Sequence, residues 1–173
     1  MADTGSESVI RYKVAIVGDG AVGKTTLLRR YATGKFQESR IMTIGVDFQT
    51  VALEAAGKSF KLTVWDLAGQ QRFAPFRGSF YLGARAVALV YDVTDAQSLL
   101  DLPRWVKEAT DVLQKTWFLV VGNKIDLPRQ VSAAEGKQFA ASIDAAYLET
   151  SAKTGDGVAR LFELLARAAH APR

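Results

Sequence analysis

Short apolar runs alternate with longer mixed segments along most of the chain. RYKVAIVG (11–18) is a β-branched run that stops at glycine, the pattern of a buried strand. A helix is predicted from Gly23 to about Tyr31, followed by a polar loop, FQESRIMTIGVDF (36–48). VDFQTVALEAAGKSFKLTVWD (46–66) reads as two alternating strands around AAGK, a hairpin. Three more buried runs follow: AVALVYDV (86–93), WFLVVGN (117–123) and AAYLETS (145–151). Helical patterns separate and follow them over 96–113, about 132–141, and 156–169. The Gly-, Pro- and Arg-containing stretch from 67 to 85 carries no predicted element. Strands alternating with helices predict an α/β fold, a six-stranded, mostly parallel sheet with helices on both faces. Neither a repeat nor a linker interrupts the pattern, so one domain is expected over 10–170, preceded by a disordered segment, 1–9.

Composition narrows the function classes. A net charge of +4, with basic residues scattered and no long run, suggests no nucleic-acid surface. The chain has no cysteine, which removes disulfides, thiolate catalysis and Cys-ligated metal. It also removes prenylation and palmitoylation within this sequence, and Ala2 rules out myristoylation. The N-terminal MADTGSESV is polar, unlike a signal peptide, and no apolar run reaches the roughly 18 residues of a membrane span. A cytoplasmic protein is the expectation.

GDGAVGKT (18–25) fits G-x-x-x-x-G-K-[ST] and lies between a predicted strand and a predicted helix, the context that motif requires. Its glycines let the backbone curve with N–H groups inward, a cradle for phosphate oxygens, and the helix N-terminus adds partial positive charge. Lys24 can bridge β- and γ-phosphates, and the Thr25 hydroxyl can hold Mg²⁺. The candidate binding set here is Asp19, Gly20, Ala21, Val22, Gly23, Lys24, Thr25 and Thr26. The motif specifies a nucleoside triphosphate and leaves the base open.

NKID (123–126) closes the fifth predicted strand and so points into the crevice at the carboxyl ends of a parallel sheet. The Asp126 carboxylate can accept two hydrogen bonds, from the ring N–H and exocyclic amine of guanine. Adenine offers no such donor pair and would leave a buried charge unpaired. Lys124 can lay its stem over the base, and Asn123 can tie this loop to the phosphate loop. Taken alone, the tetrapeptide also suits a polar turn at a strand end. ETSAK (149–153) favours the guanine reading, because it closes the next strand, with Ser151, Ala152 and Lys153 beside the base. The Ala152 N–H can donate to guanine O6. An ATP-dependent kinase or ATPase uses the same phosphate loop but gives NKID and SAK no role. A nucleotide-binding scaffold with negligible hydrolysis is the other alternative.

With GDGAVGKT, DLAGQ, NKID and SAK in this order and spacing, residues 11 to 169 resemble the Ras-like small GTPases, and within them the Rab group. IGVDF (44–48), KLTVWD (61–66), QRF (71–73) and LVYDVT (89–94) carry the Rab likeness. The resemblance implies a P-loop GTPase domain that binds GTP and GDP with Mg²⁺ and hydrolyses GTP. It implies that Phe36 lies against guanine, that Thr43 joins Thr25 on Mg²⁺, and that Asp66 holds the ion through water. Gly69 would bind the γ-phosphate through its N–H, and Gln70 would orient the attacking water. Lys24, Gly69 and Gln70 form the catalytic set. Effectors would read the switch regions and an aromatic triad, Phe48, Trp65 and Phe80, for which core packing is the competing explanation. Exchange factors and GTPase-activating proteins are further expected partners, on a chain that is otherwise a monomer. Gln71, Leu67 and FYLGA (80–84) depart from the Glu, Thr and YYRGA usual in Rabs. Rabs also carry a tail with prenylated cysteines, so membrane attachment would need a lipidated segment beyond Arg173.

Arg40 stands three residues before Thr43, where most Ras and Rab proteins have tyrosine. Heterotrimeric Gα subunits have an arginine there, an arginine finger acting in cis. Arg40 is thus either a low-ranking catalytic candidate or a solvated loop charge near Glu38. Single-turnover GTP hydrolysis by Arg40→Ala separates the two. A finger predicts a loss of tenfold or more, on the order of 1.4 kcal/mol, with GTP affinity unchanged, whereas a surface charge predicts the parent rate.

Overall fold

The computed structural model describes residues 8–37 and 43–172; Arg40, Glu38 and most of the N-terminal segment expected to be disordered lie outside that range. Six strands form one sheet in the order β2-β3-β1-β4-β5-β6. They are β1 (Ile10–Val17), β2 (Val46–Ala55), β3 (Lys58–Leu67), β4 (Ala84–Asp92), β5 (Trp117–Asn123) and β6 (Ala146–Thr150). Only β2 runs antiparallel, paired to β3 along its whole length. The two join through Ala56 and Gly57, both at positive φ (50° and 70°), the backbone that a two-residue hairpin turn requires.

Side-chain alternation divides the interior into two layers. Val14 and Ile16 of β1, with Leu62 and Val64 of β3, face one cluster, which α1 (Lys24–Thr33) and α6 (Val158–His170) cover. Ala15 and Val17 face the other, beneath α2 (Ala74–Tyr81), α4 (Leu102–Thr110) and α5 (Ala133–Ser142). Helix α6 is the clearest case of pattern dictating structure. It buries Val158, Leu161, Phe162, Leu165, Ala166 and Ala169, a continuous stripe at three- and four-residue spacing. Helix α5 begins in a capping box: the Ser132 hydroxyl accepts from the Glu135 N–H, and the Glu135 carboxylate accepts from the Ser132 N–H.

Two sequence expectations need correction. The helix predicted over 96–113 is two helices, α3 (Ala96–Leu100) and α4, meeting at Asp101. Pro103, in the first turn of α4, has no N–H to continue the α3 ladder. The unassigned stretch 67–85 holds a short 3₁₀ turn (Gln71–Phe73) followed by α2. That helix buries Arg77 and Tyr81, so its inward stripe begins with a charged residue and escapes a hydrophobic count.

Gly136 marks the tightest helix-to-sheet approach on the α5 side. A Cβ there would run into the Tyr91 hydroxyl and the Tyr147 ring. Tyr91 is fully buried, and its hydroxyl is 2.9 Å from that of Tyr147, so the Tyr91 ring has no room to retreat. Gly136→Ala gains helix propensity but overpacks this contact. A net loss of about 1–2 kcal/mol is expected in urea unfolding.

Candidate functional site

The loops after β1, β3, β5 and β6 all leave the carboxyl edge of the sheet and surround one cavity of about 570 Å³. The phosphate-type loop forms its floor through Gly20, Ala21, Gly23, Lys24, Thr25 and Thr26. Gly23 has φ 103°, and a Cβ on it would strike the Asn123 amide, so both backbone freedom and space demand glycine. Lys24 is buried, and its ammonium donates to the carbonyls of Gly18 (2.8 Å) and Asp19 (2.7 Å). Burial pulls its pKa down to about 8, against the opposing pull of Asp66 and Asp19. An anion in the cavity would add to the counter-charge that Asp66 and Asp19 give Lys24.

Two members of the predicted loop set do not face the cavity with their side chains. Val22 is buried beneath the loop. The Asp19 carboxylate turns toward α4, where it accepts from Arg104 (2.8 Å) and from the Trp105 indole N–H (2.8 Å). Burial raises the Asp19 pKa, helped by Asp101, while Trp105 and Arg104 oppose the rise.

Thr25, Thr43 and Asp66 come together at one corner although they are far apart in sequence. The Thr25 and Thr43 hydroxyls are 2.8 Å apart, and Thr25 also donates to one Asp66 carboxylate oxygen. The other carboxylate oxygen, Oδ1, is buried without a hydrogen-bond partner. Burial raises the Asp66 pKa, with Thr25 and Lys24 pulling it back. Two hydroxyls and an under-satisfied carboxylate make a hard oxygen set that suits Mg²⁺ completed by phosphate and water. No group of three or more His, Cys, Asp or Glu side chains able to hold a metal occurs among the described residues.

Asn123, Lys124, Asp126, Leu127, Ala152 and Lys153 form the opposite wall. Asn123 is buried; it donates to the Val22 carbonyl (2.9 Å) and accepts from the Thr150 hydroxyl (3.0 Å). Lys124 sits at φ 69°, and its ammonium reaches the Ala21 carbonyl (2.7 Å) and the Asp92 carboxylate (2.6 Å). Ser151 stands behind the wall rather than in it, donating to one Asp126 oxygen at 2.6 Å. Phe36, Thr43, Gly69 and Gln70 complete the lining, with Thr43 beside Thr25 and Gly69 against the phosphate-type loop. Gly69 abuts the backbone of Asp19 and Gly20 so closely that no Cβ fits.

Sequence reasoning missed Leu127, whose only signal was an exposed apolar residue following NKID. It also missed Arg77, Arg104 and Trp105, which hold the loops from behind. Phe48, Trp65 and Phe80 do form one aromatic row, with ring centroids 5.3 and 5.6 Å apart. Trp65 also packs on the core layer beneath, so the packing explanation describes one of its two sides. No described helix is long and apolar enough to cross a membrane.

The Ras family sequence profile matches residues 13–171. The Ras-related protein SEC4 of Candida albicans is 41% identical over 157 residues, spanning 89% of this chain and 75% of that protein. The human Ras-related protein Rab-30 is 42% identical over 154 residues, 87% of this chain and 76% of its own length. With the loops of this fold gathered around one cavity, the chain belongs to the Ras family, as a Rab-like small GTPase that binds guanine nucleotide and hydrolyses GTP to GDP.

Proposed function

We propose that the cavity holds GTP or GDP, with its phosphates on Gly20–Thr26 and its base between Lys124, Asp126, Ala152, Lys153 and Phe36. The observation that carries this reading is the convergence of five segments, distant in sequence, on one cavity. Asp126 keeps one carboxylate oxygen on Ser151, which leaves the other to meet the guanine donors. Asn123 acts from behind, fixing the base loop to the phosphate loop.

For hydrolysis, Lys24 moves from its two carbonyl partners to the β- and γ-phosphate oxygens, where charge shifts as the γ-phosphoryl group transfers. Thr25, Thr43 and Asp66 are the residues that would hold Mg²⁺, which would neutralise phosphate charge there. The Gly69 N–H donates to the γ-phosphate, and the Gln70 side chain orients the attacking water. Loss of the γ-phosphate removes a partner from Thr43 and Gly69 together, so the two switch loops relax as one event. Effectors that favour the triphosphate form read those loops and the Phe48–Trp65–Phe80 row. An exchange factor and a GTPase-activating protein would set how long each state lasts. Rab-like control of an intracellular trafficking step, in the cytoplasm and as a monomer, is the role we assign. A membrane stage would depend on a lipidated segment beyond Arg173.

Two substitutions test the assignment. Asp126→Asn keeps the Ser151 contact but offers an amide where guanine presents donors. GDP affinity is expected to fall at least a hundredfold, about 2.7 kcal/mol, with xanthine nucleotide gaining; unchanged GDP binding in a mant-nucleotide titration would overturn the base pose. Gln70→Leu removes the water-orienting amide. Single-turnover hydrolysis should slow tenfold or more, about 1.4 kcal/mol, at constant GTP affinity. An unaltered rate would assign the water to another residue.

A further inference from the structure

Arg77 is the most deeply buried charge in the described structure that the mechanism above does not use. Its side chain is 1% exposed, and its guanidinium lies 4.3 Å from the Trp105 ring centroid. Nε and one terminal nitrogen grip both oxygens of Glu108, at 2.6 and 2.8 Å. The remaining terminal nitrogen donates to the carbonyls of Ala68 (3.1 Å) and Gln70 (2.9 Å). These are the two carbonyls on either side of Gly69.

We propose that Arg77 is a positioning residue for GTP hydrolysis, aiming the Gly69 amide and fixing the backbone of Gln70; this rests on the roles assigned to those two residues above. The Ala68 carbonyl and the Gly69 N–H belong to one planar trans peptide and point in opposite directions. A cation that holds the carbonyl from behind therefore turns the N–H toward the cavity that Gly69 lines. The bond to the Gln70 carbonyl fixes the peptide between Gln70 and Gln71, so the one peptide between the two held carbonyls, Gly69–Gln70, is restrained from both ends. Two chain bonds from one rigid fork leave the Gly69 unit little freedom to rotate.

The position of the anchor supports this role. Glu108 and Trp105 belong to α4, the helix whose Arg104 and Trp105 hold the Asp19 carboxylate of the phosphate loop. The phosphate loop and the Gly69 loop are thus both referenced to one helix face. A charge pair buried this deeply is weak evidence of added stability, since desolvation offsets its attraction. Orientation of the two carbonyls is what an apolar pair of equal volume could not supply.

The test compares parent, Arg77→Lys and Gln70→Leu, each loaded with GTP, by single-turnover hydrolysis, GDP dissociation rate and melting temperature. Lysine retains a charge opposite Glu108 but has one ammonium, which cannot hold the carboxylate fork and both carbonyls together. Arg77→Lys is expected to hydrolyse bound GTP at least tenfold more slowly, with GDP dissociation within twofold of parent. A purely structural role predicts the reverse: a lower melting temperature and faster GDP loss, with the parent rate per bound GTP. That outcome overturns the proposal. Gln70→Leu at the parent rate overturns the loop assignment itself, whereas Gln70→Leu slow and Arg77→Lys at the parent rate overturns only the arginine's part. Should Arg77→Lys fail to hold nucleotide, Glu108→Asp replaces it, keeping the charge but withdrawing it by one methylene. Hydrolysis slowed threefold or more then supports the proposal, and the parent rate overturns it.

Discussion

The buried amide of Asn123 is the bond on which the geometry of the cavity depends. It belongs to the base loop, donates to Val22 in the phosphate loop and accepts from Thr150 at the end of β6. Three loops that the chain makes more than twenty residues apart are thereby held as one surface. The contact is close enough to exclude any side chain from Gly23, so the loop must be glycine where it meets the amide. Few alternatives exist for such a joint. A buried amide left half-paired would cost about 1–3 kcal/mol, and a larger loop residue would break the contact outright.

A second joint lies on the opposite side of the phosphate loop. There α4 holds Asp19 through Arg104 and Trp105 and, through Glu108, the arginine behind Gly69. One side of the phosphate loop is thus tied by the Asn123 amide together with the Lys124 ammonium on the Ala21 carbonyl, and the other by the guanidinium groups of Arg104 and Arg77.

What the sequence made legible follows from where each feature's partners lie. The phosphate loop could be read directly, because backbone contacts to phosphate need glycine at fixed spacing within eight residues. The base loop was readable because the role we assign to Asp126, a carboxylate accepting from guanine donors, follows from donor and acceptor chemistry and needs no fold. Thr43 and Gln70 were not readable from pattern and came only through family resemblance. Helix α2 was missed because its buried stripe is led by Arg77, which is acceptable inside only through Glu108, 31 residues away. The Arg104–Asp19 bond spans 85 residues, so no local window contains it.

The layer under α1 and α6 also governs the order in which the chain can be completed during synthesis. Its walls are β1 and α1, the first described elements of this domain in chain order, and α6, the last of them. Until α6 is made, the sheet face carrying Val14 and Ile16 has only α1 over it, and Leu27 and Leu28 of α1 lack the α6 side of their cluster. Contacts between the two ends of a chain are the slowest to form, since the whole intervening loop must close first. This layer of the domain therefore closes only when α6 joins it. Premature termination before α6 would leave a sticky sheet for chaperones to hold rather than a shortened enzyme.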